Sequence, residues 1–208
     1  MTRTFLTVAL ALFSSTSSAV EKPRVQLFWS DYELLANKLS AGARKALERE
    51  VRSIFADAGI DLHFIVGSPE DHGNRDVRAI RIVLMPRSGE GWAMGSEAMG
   101  AILEKNASAK TVYIFLPVVE RTLGYSVDGK MLHDGRKSMA LARALARVLA
   151  HETAHAIDST IPHGPDGSVM TANLTSTLLL SERLRFHEST VEVLLRSLVV
   201  PKGSAKLP

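Results

Sequence analysis

The chain has 208 residues, 46% apolar and 23% charged, with 25 Lys plus Arg against 22 Asp plus Glu and a formal net charge of +3. That length supports one domain with its own core rather than two, and the near balance of charge, with no basic run and no aromatics interleaved among Lys and Arg, argues against a nucleic-acid partner. No cysteine is present, which excludes thiolate metal sites and thiol nucleophiles, so any metal must be held by histidines and carboxylates.

At the N-terminus Arg3, the apolar run Phe5 to Phe13 and the small residues Ser14 to Ala19 have the three regions of a secretory signal peptide. Cleavage after Ala19 is expected. Residues 20–208 then form a single exported domain, periplasmic or secreted, with its charge reduced to +2 by the loss of Arg3. The run is too short for a mature anchor and no later stretch approaches about 20 apolar residues, so no transmembrane anchor is expected.

Arg24 to Trp29 reads as a first strand. Ser40 is placed as the N-cap of a helix in which Leu47, Val51, Ile54, Phe55 and Ala58 recur at helical spacing, with Gly59 as its stop. Asp61 to Val66 alternates, with Leu62, Phe64 and Val66 on one side and His63 on the exposed other. A loop from Gly67 to Asp76, containing His72, leads to a third strand, Val77 to Met85. Gly91 to Ala109 has no clean period and reads as an excursion across one end of the sheet, with Met94 and Met99 as packing residues. Thr111 to Leu116 is a β-branched and apolar run, hence a fourth strand. Val118 to Leu123 is ambiguous, and Gly124 to Gly135, with Tyr125 and His133, reads as a surface loop.

A long helix begins at Asp134 or Gly135. Met139, Leu141, Leu145, Val148 and Leu149 are expected to pack it, and its alanines to allow close approach to the sheet. Glu188 to Val200 has the spacing of a C-terminal helix, and Pro201 to Pro208 is expected to be a frayed tail. The pattern is that of an α+β fold, a monomer by expectation, in which a mixed twisted sheet of about four to five strands carries a packing helix, a functional helix and a closing helix.

The functional helix contains His151-Glu152-Thr153-Ala154-His155. Positions i and i+4 share a helical face, so His151 and His155 can offer imidazole nitrogens to one ion, while the glutamate of such a motif serves as general base on metal-activated water. A catalytic zinc site needs a third protein ligand. His163 is the first candidate, but a straight helix would carry it about 12 Å from His155. Asp158, Pro162 and the turn-forming Gly164-Pro165-Asp166-Gly167 supply the means to end the helix and double back.

With His163 and the subsequent Gly167-Ser168-Val169-Met170, this segment resembles the metzincin clan of zinc metallopeptidases, in particular small secreted bacterial proteins of the matrixin and archaemetzincin type. The clan pattern is His-Glu-x-x-His-x-x-Gly-x-x-His; here Asp158 stands at the glycine and Ile161 at the third histidine, and His163 comes two residues later. The resemblance implies a metzincin-like zincin fold and Zn(2+) on His151, His155 and His163. It also implies Glu152 as general base in peptide-bond hydrolysis, Met170 as a packing residue beneath the metal, and a peptide or protein substrate lying along an edge strand, with Thr111 to Leu116 as the candidate. Asp158 is the alternative third ligand, or an acceptor for an imidazole N–H. Two rival readings are a different zinc architecture completed by Glu182 or Glu188, and an exported zinc-binding domain without turnover that acts as a protein-binding module.

Overall fold

A computed structural model describes residues 22–30, 32–69, 78–87, 97–103, 110–125 and 134–199. The proposed signal peptide, the C-terminal tail, His72, Met94 and His133 lie outside these residues. The sheet comprises β1 (Arg24–Trp29), β2 (Asp61–Val66), β3 (Arg78–Met85), β4 (Gly100–Leu103) and β5 (Lys110–Phe115), in the order β2-β1-β3-β5-β4. All neighbours are parallel except β4, which runs antiparallel to β5 with Gly100 opposite Ile114 and Leu103 opposite Thr111. The architecture is α+β with a mixed five-stranded sheet.

Two long helices fill one face of the sheet. Helix α2 (Ala41–Asp57) begins where expected, with the Ser40 hydroxyl accepting from the Ala43 N–H at 3.2 Å, and ends before Gly59, whose φ of +76° suits a residue without Cβ. Helix α4 (Gly135–Ile157) starts on the Asp134 carboxylate, which accepts from the N–H groups of Arg136 and Lys137. Leu47, Val51 and Phe55 of α2 meet Leu141, Leu145, Val148 and Leu149 of α4 over Val25, Leu27, Ile80, Ile82, Val112 and Ile114 of the sheet, and all of these side chains are buried. Alanines 142, 144, 146, 150 and 154 are likewise buried, so α4 lies close to its neighbours along most of its length.

Several expectations are corrected. The excursion from Gly91 to Ala109 contains β4, a four-residue strand too short and too poor in β-branched residues to announce itself; pairing with β5 creates it. The Thr111 to Leu116 strand is therefore interior, and β4 is the edge on that side among the described residues. Leu116 belongs to helix α3 (Leu116–Thr122), which also resolves the ambiguous stretch after it. Tyr32–Lys38 forms a short helix, α1, which shows no period because tertiary contacts hold it: Leu35 is buried, Arg44 donates to the carbonyls of Ala36 and Leu39, and Lys38 pairs with Glu120 of α3 at 2.6 Å in the interior. Met139 is 46% exposed rather than packed, because it shares the face of Arg136 and Arg143 and not that of Leu141 and Leu145. Val66, at the end of the edge strand β2, is 65% exposed.

Two further helices close the C-terminal third, α5 (Ser176–Leu180) and α6 (Glu188–Leu198). Arg147 fastens α5 to the long helices. Its fully buried guanidinium donates to Glu50 of α2 at 3.1 and 3.2 Å, to the carbonyls of Leu178 and Ser181 at 2.7 Å each, and to the Ser181 hydroxyl. Replacing it strands two carbonyls and a carboxylate. Arg147→Ala is expected to lower the unfolding free energy by roughly 3 kcal/mol in urea titration, and Arg147→Lys to recover little of it, since a single ammonium cannot replace a planar fork of donors.

Candidate metal centre

His151 and His155 lie one turn apart near the C-terminal end of α4. The helix stops at Asp158, whose N–H still bonds the Ala154 carbonyl and whose own backbone is extended, with φ −145° and ψ 111°. Here the chain turns. One Asp158 carboxylate oxygen accepts from the Thr160 N–H (2.9 Å) and hydroxyl (2.7 Å), the other from the Ser197 hydroxyl of α6 (2.6 Å), and the Asp158 carbonyl accepts from the Ile161 N–H. The buried Ile161 side chain anchors the turn in the core. The reversal brings His163 back to the helix, with its ring 5.4 Å from that of His151 and 5.2 Å from that of His155, centroid to centroid.

The loop after His163 is closed by its own backbone. The Gly164 N–H donates to the Met170 carbonyl at 2.8 Å, and the hydroxyls of Ser168 and Thr171 both donate to the Pro165 carbonyl. Gly167 turns the chain at φ +86°, where a side chain would be strained. Val169 donates to the Arg185 carbonyl, and its own carbonyl lies 2.8 Å from Nδ1 of His151. That contact places the Nδ1 proton toward the backbone and leaves Nε2 to face the other two rings. Met170 is fully buried in the core beside Gly164.

Each of the three histidines offers a ring nitrogen, and these lie within 4.8 Å of one another. A cluster of this size is of the kind that can hold one metal ion, which takes imidazole nitrogens at about 2.0–2.1 Å when it is zinc. The electrostatics suit that use. Burial lowers the His151 pKa, the hydrogen bond to Val169 opposes this and His163 adds to it; burial, then His151 and His163, push His155 down to about 4. Neutral imidazole is the ligating form. Among the described residues no carboxylate joins the cluster. Glu182 and Glu188 are outside it, and the Asp158 carboxylate is engaged by Ser197 and Thr160, which hold it down to about 2. Asp158 thus shapes the turn and takes no place among the nitrogens.

No protein-family model and no curated sequence matches this chain. Among solved structures, an archaemetzincin from Methanopyrus kandleri is similar to it, at 12% identity and a TM-score of 0.46, over 85% of this chain and 95% of that one. Function must therefore be argued from the site itself.

The Glu152 side chain lies against the backbone of Gly100 at the start of β4. Burial pushes its carboxyl up to about 7. The His151-to-Met170 segment contains His151, Glu152, His155, Asp158, His163 and Met170, while the rival carboxylates Glu182 and Glu188 lie outside it. What sequence reasoning misses are the Val169 carbonyl, the Thr160 and Ser197 hydroxyls and Gly100. A backbone carbonyl leaves no sequence signal, and Gly100 stands in a strand that its local pattern does not reveal.

The two acidic groups make opposite contributions to stability against pH. Asp158 has its folded pKa depressed from 3.8 to about 2, so its contribution is present above pH 4 and is lost as pH falls toward 2. Asp158→Ala should cost a few degrees of Tm at pH 7, and much less near pH 2. Glu152 has the opposite sign: with a folded pKa of about 7 against 4.5, it makes the metal-free protein lose stability as pH rises through that window. Glu152→Gln should therefore melt above wild type at pH 7 and show no such gain at pH 4, a difference that thermal unfolding of the metal-free proteins will read.

Proposed function

We propose that this chain is a zinc-dependent endopeptidase of metzincin-like type, exported and acting on peptide or protein substrates. One observation carries the reading: three imidazoles converge at the end of α4, and the buried carboxylate that follows the first of them in the helix takes no place in their cluster. A zinc site built only for structure is closed by four protein ligands, whereas three leave a position open for chemistry.

His151, His155 and His163 would hold the ion. When bound, zinc would supply Lewis acidity, polarising a carbonyl and lowering the pKa of water toward neutrality. The protein's own part is to position and to move a proton. Val169 fixes the His151 tautomer through Nδ1, and the Asp158 turn holds His163 in place. Glu152 comes directly after His151 in the helix and stands at the same wall as β4. Its carboxylate would take a proton from the attacking water and pass it to the leaving amine, a role that favours a carboxyl titrating near the working pH. A dication nearby would lower that pKa from its metal-free value, favouring the base form.

Strand β4 supports the substrate side of this reading. It is the last strand of the sheet among the described residues, and its first residue lies against Glu152, so an extended peptide added to the sheet there would run past the general base. The interior position of β5 rules out the Thr111 to Leu116 strand for that purpose.

Zinc stoichiometry and peptide cleavage, measured on wild type, Glu152→Ala and His163→Ala, test the proposal. Wild type should bind one zinc and cleave. Glu152→Ala should keep the metal and lose roughly 10²- to 10⁴-fold in rate. His163→Ala should bind zinc far more weakly. A wild-type chain that holds zinc tightly but cleaves none of a broad peptide library would instead mark a binding module without turnover.

A further inference from the structure

The Glu152 side chain fills the space that a side chain at position 100 would need. A Cβ built on Gly100 would lie 2.5 Å from Cγ, 2.8 Å from Cδ and 2.8 Å from Oε1 of Glu152. Real Cβ atoms do not approach other heavy atoms so closely, so any residue but glycine at position 100 forces a shift. Neither backbone is free to provide it. Gly100 pairs with Ile114 across the antiparallel ladder, and the ladder is continued by the 2.8 Å bond from the Phe115 N–H to the Met99 carbonyl. Ala101, Ile114 and Phe115 are buried around it. Glu152 sits within α4 between buried His151 and Thr153, which fixes its Cα equally well. Only the torsions of the Glu152 side chain remain to move.

We infer that Gly100 is the positioning residue of the Glu152 carboxylate: by lacking a side chain, it lets the edge strand close against that carboxylate and sets where the carboxylate stands. Gly100 is not catalytic; it acts through Glu152, and the inference rests on the reading of Glu152 as general base. A methyl group at position 100 turns the carboxylate out of its place, because the three nearest atoms it would meet all belong to the Glu152 side chain. A residue far from the helix motif in sequence thereby becomes part of the working geometry, and the edge strand serves both as a wall of the site and as the gauge for its base.

The test is a double-mutant cycle of Gly100→Ala and Glu152→Ala, read in two ways. Truncating Glu152 at Cβ removes all three atoms that crowd position 100. In metal-free thermal unfolding, Gly100→Ala should lower Tm by several degrees in wild type and by much less in the Glu152→Ala background. If Gly100→Ala does not fold alone but folds when combined with Glu152→Ala, that rescue supports the inference equally. Equal losses in both backgrounds, or failure of both to fold, overturn it, since glycine would then serve the strand and not the carboxylate. The second reading uses the zinc-loaded protein: Gly100→Ala should bind zinc as wild type does and lose about tenfold or more in kcat with KM little changed. Unchanged kcat, or a loss lying wholly in KM or in zinc affinity, also overturns it. Should wild type cleave nothing, the peptidase reading fails while the thermal cycle still decides the role of Gly100.

Discussion

Everything at the centre depends on the chain reversing direction within the few residues that separate His155 from His163. A continued helix would remove His163 from the site, so the reversal must be both forced and fixed. The extended backbone of Asp158 ends the helix, and its carboxylate secures the turn by bonding forward to Thr160 and across to Ser197 on the C-terminal helix. Charge-assisted bonds of this kind are among the stronger polar contacts a surface turn can make. The C-terminal helix, which contributes no side chain to the imidazole cluster, is thus tied to the third imidazole through one acidic side chain. Ile161 adds an apolar anchor to the same turn.

The rigidity of the two other histidines comes from a different source. Helix α4 is buried along most of its length, and its alanines allow α2 and the sheet to approach closely. Arg147, one turn before His151, ties that helix to α2 and to the start of the C-terminal third by five donor contacts. A guanidinium so deep in the core costs desolvation, which the carbonyls of Leu178 and Ser181 and the Glu50 carboxylate offset. The loop containing Val169 closes the other side, held by Gly164, Pro165 and Arg185. Preorganisation at the centre is therefore distributed over elements well beyond the three imidazoles.

Much of this is legible in the sequence because it is written in side-chain periodicity. The caps at Ser40 and Asp134, the stripe on α2, four strands and the His-Glu-x-x-His face all come from local spacing, and the turn-forming residues after Asp158 point to the return of His163. The parts that escape belong to pairing and to the backbone. Strand β4 exists because β5 offers it a ladder, α1 because Arg44 and Glu120 hold it, and the tautomer of His151 because a carbonyl happens to be there. Spacing from His155 alone makes Asp158 a candidate ligand; its true engagement depends on Ser197, 39 residues on, lying beside it. Met139 shows the limit of periodicity itself, which names the apolar residues of a helix but not which face wins the core.

The brevity of β4 has a consequence for how this protein meets other chains. A sheet edge is a template for any extended backbone, and long flat edges invite self-association. With Gly100–Leu103 as its strand among the described residues, this edge offers few main-chain groups to a visitor. Whatever pairs there gains little from backbone alone and must be selected by its side chains. A second copy of the sheet gains just as little, so the same shortness that demands discrimination among visitors also discourages the protein from stacking on itself.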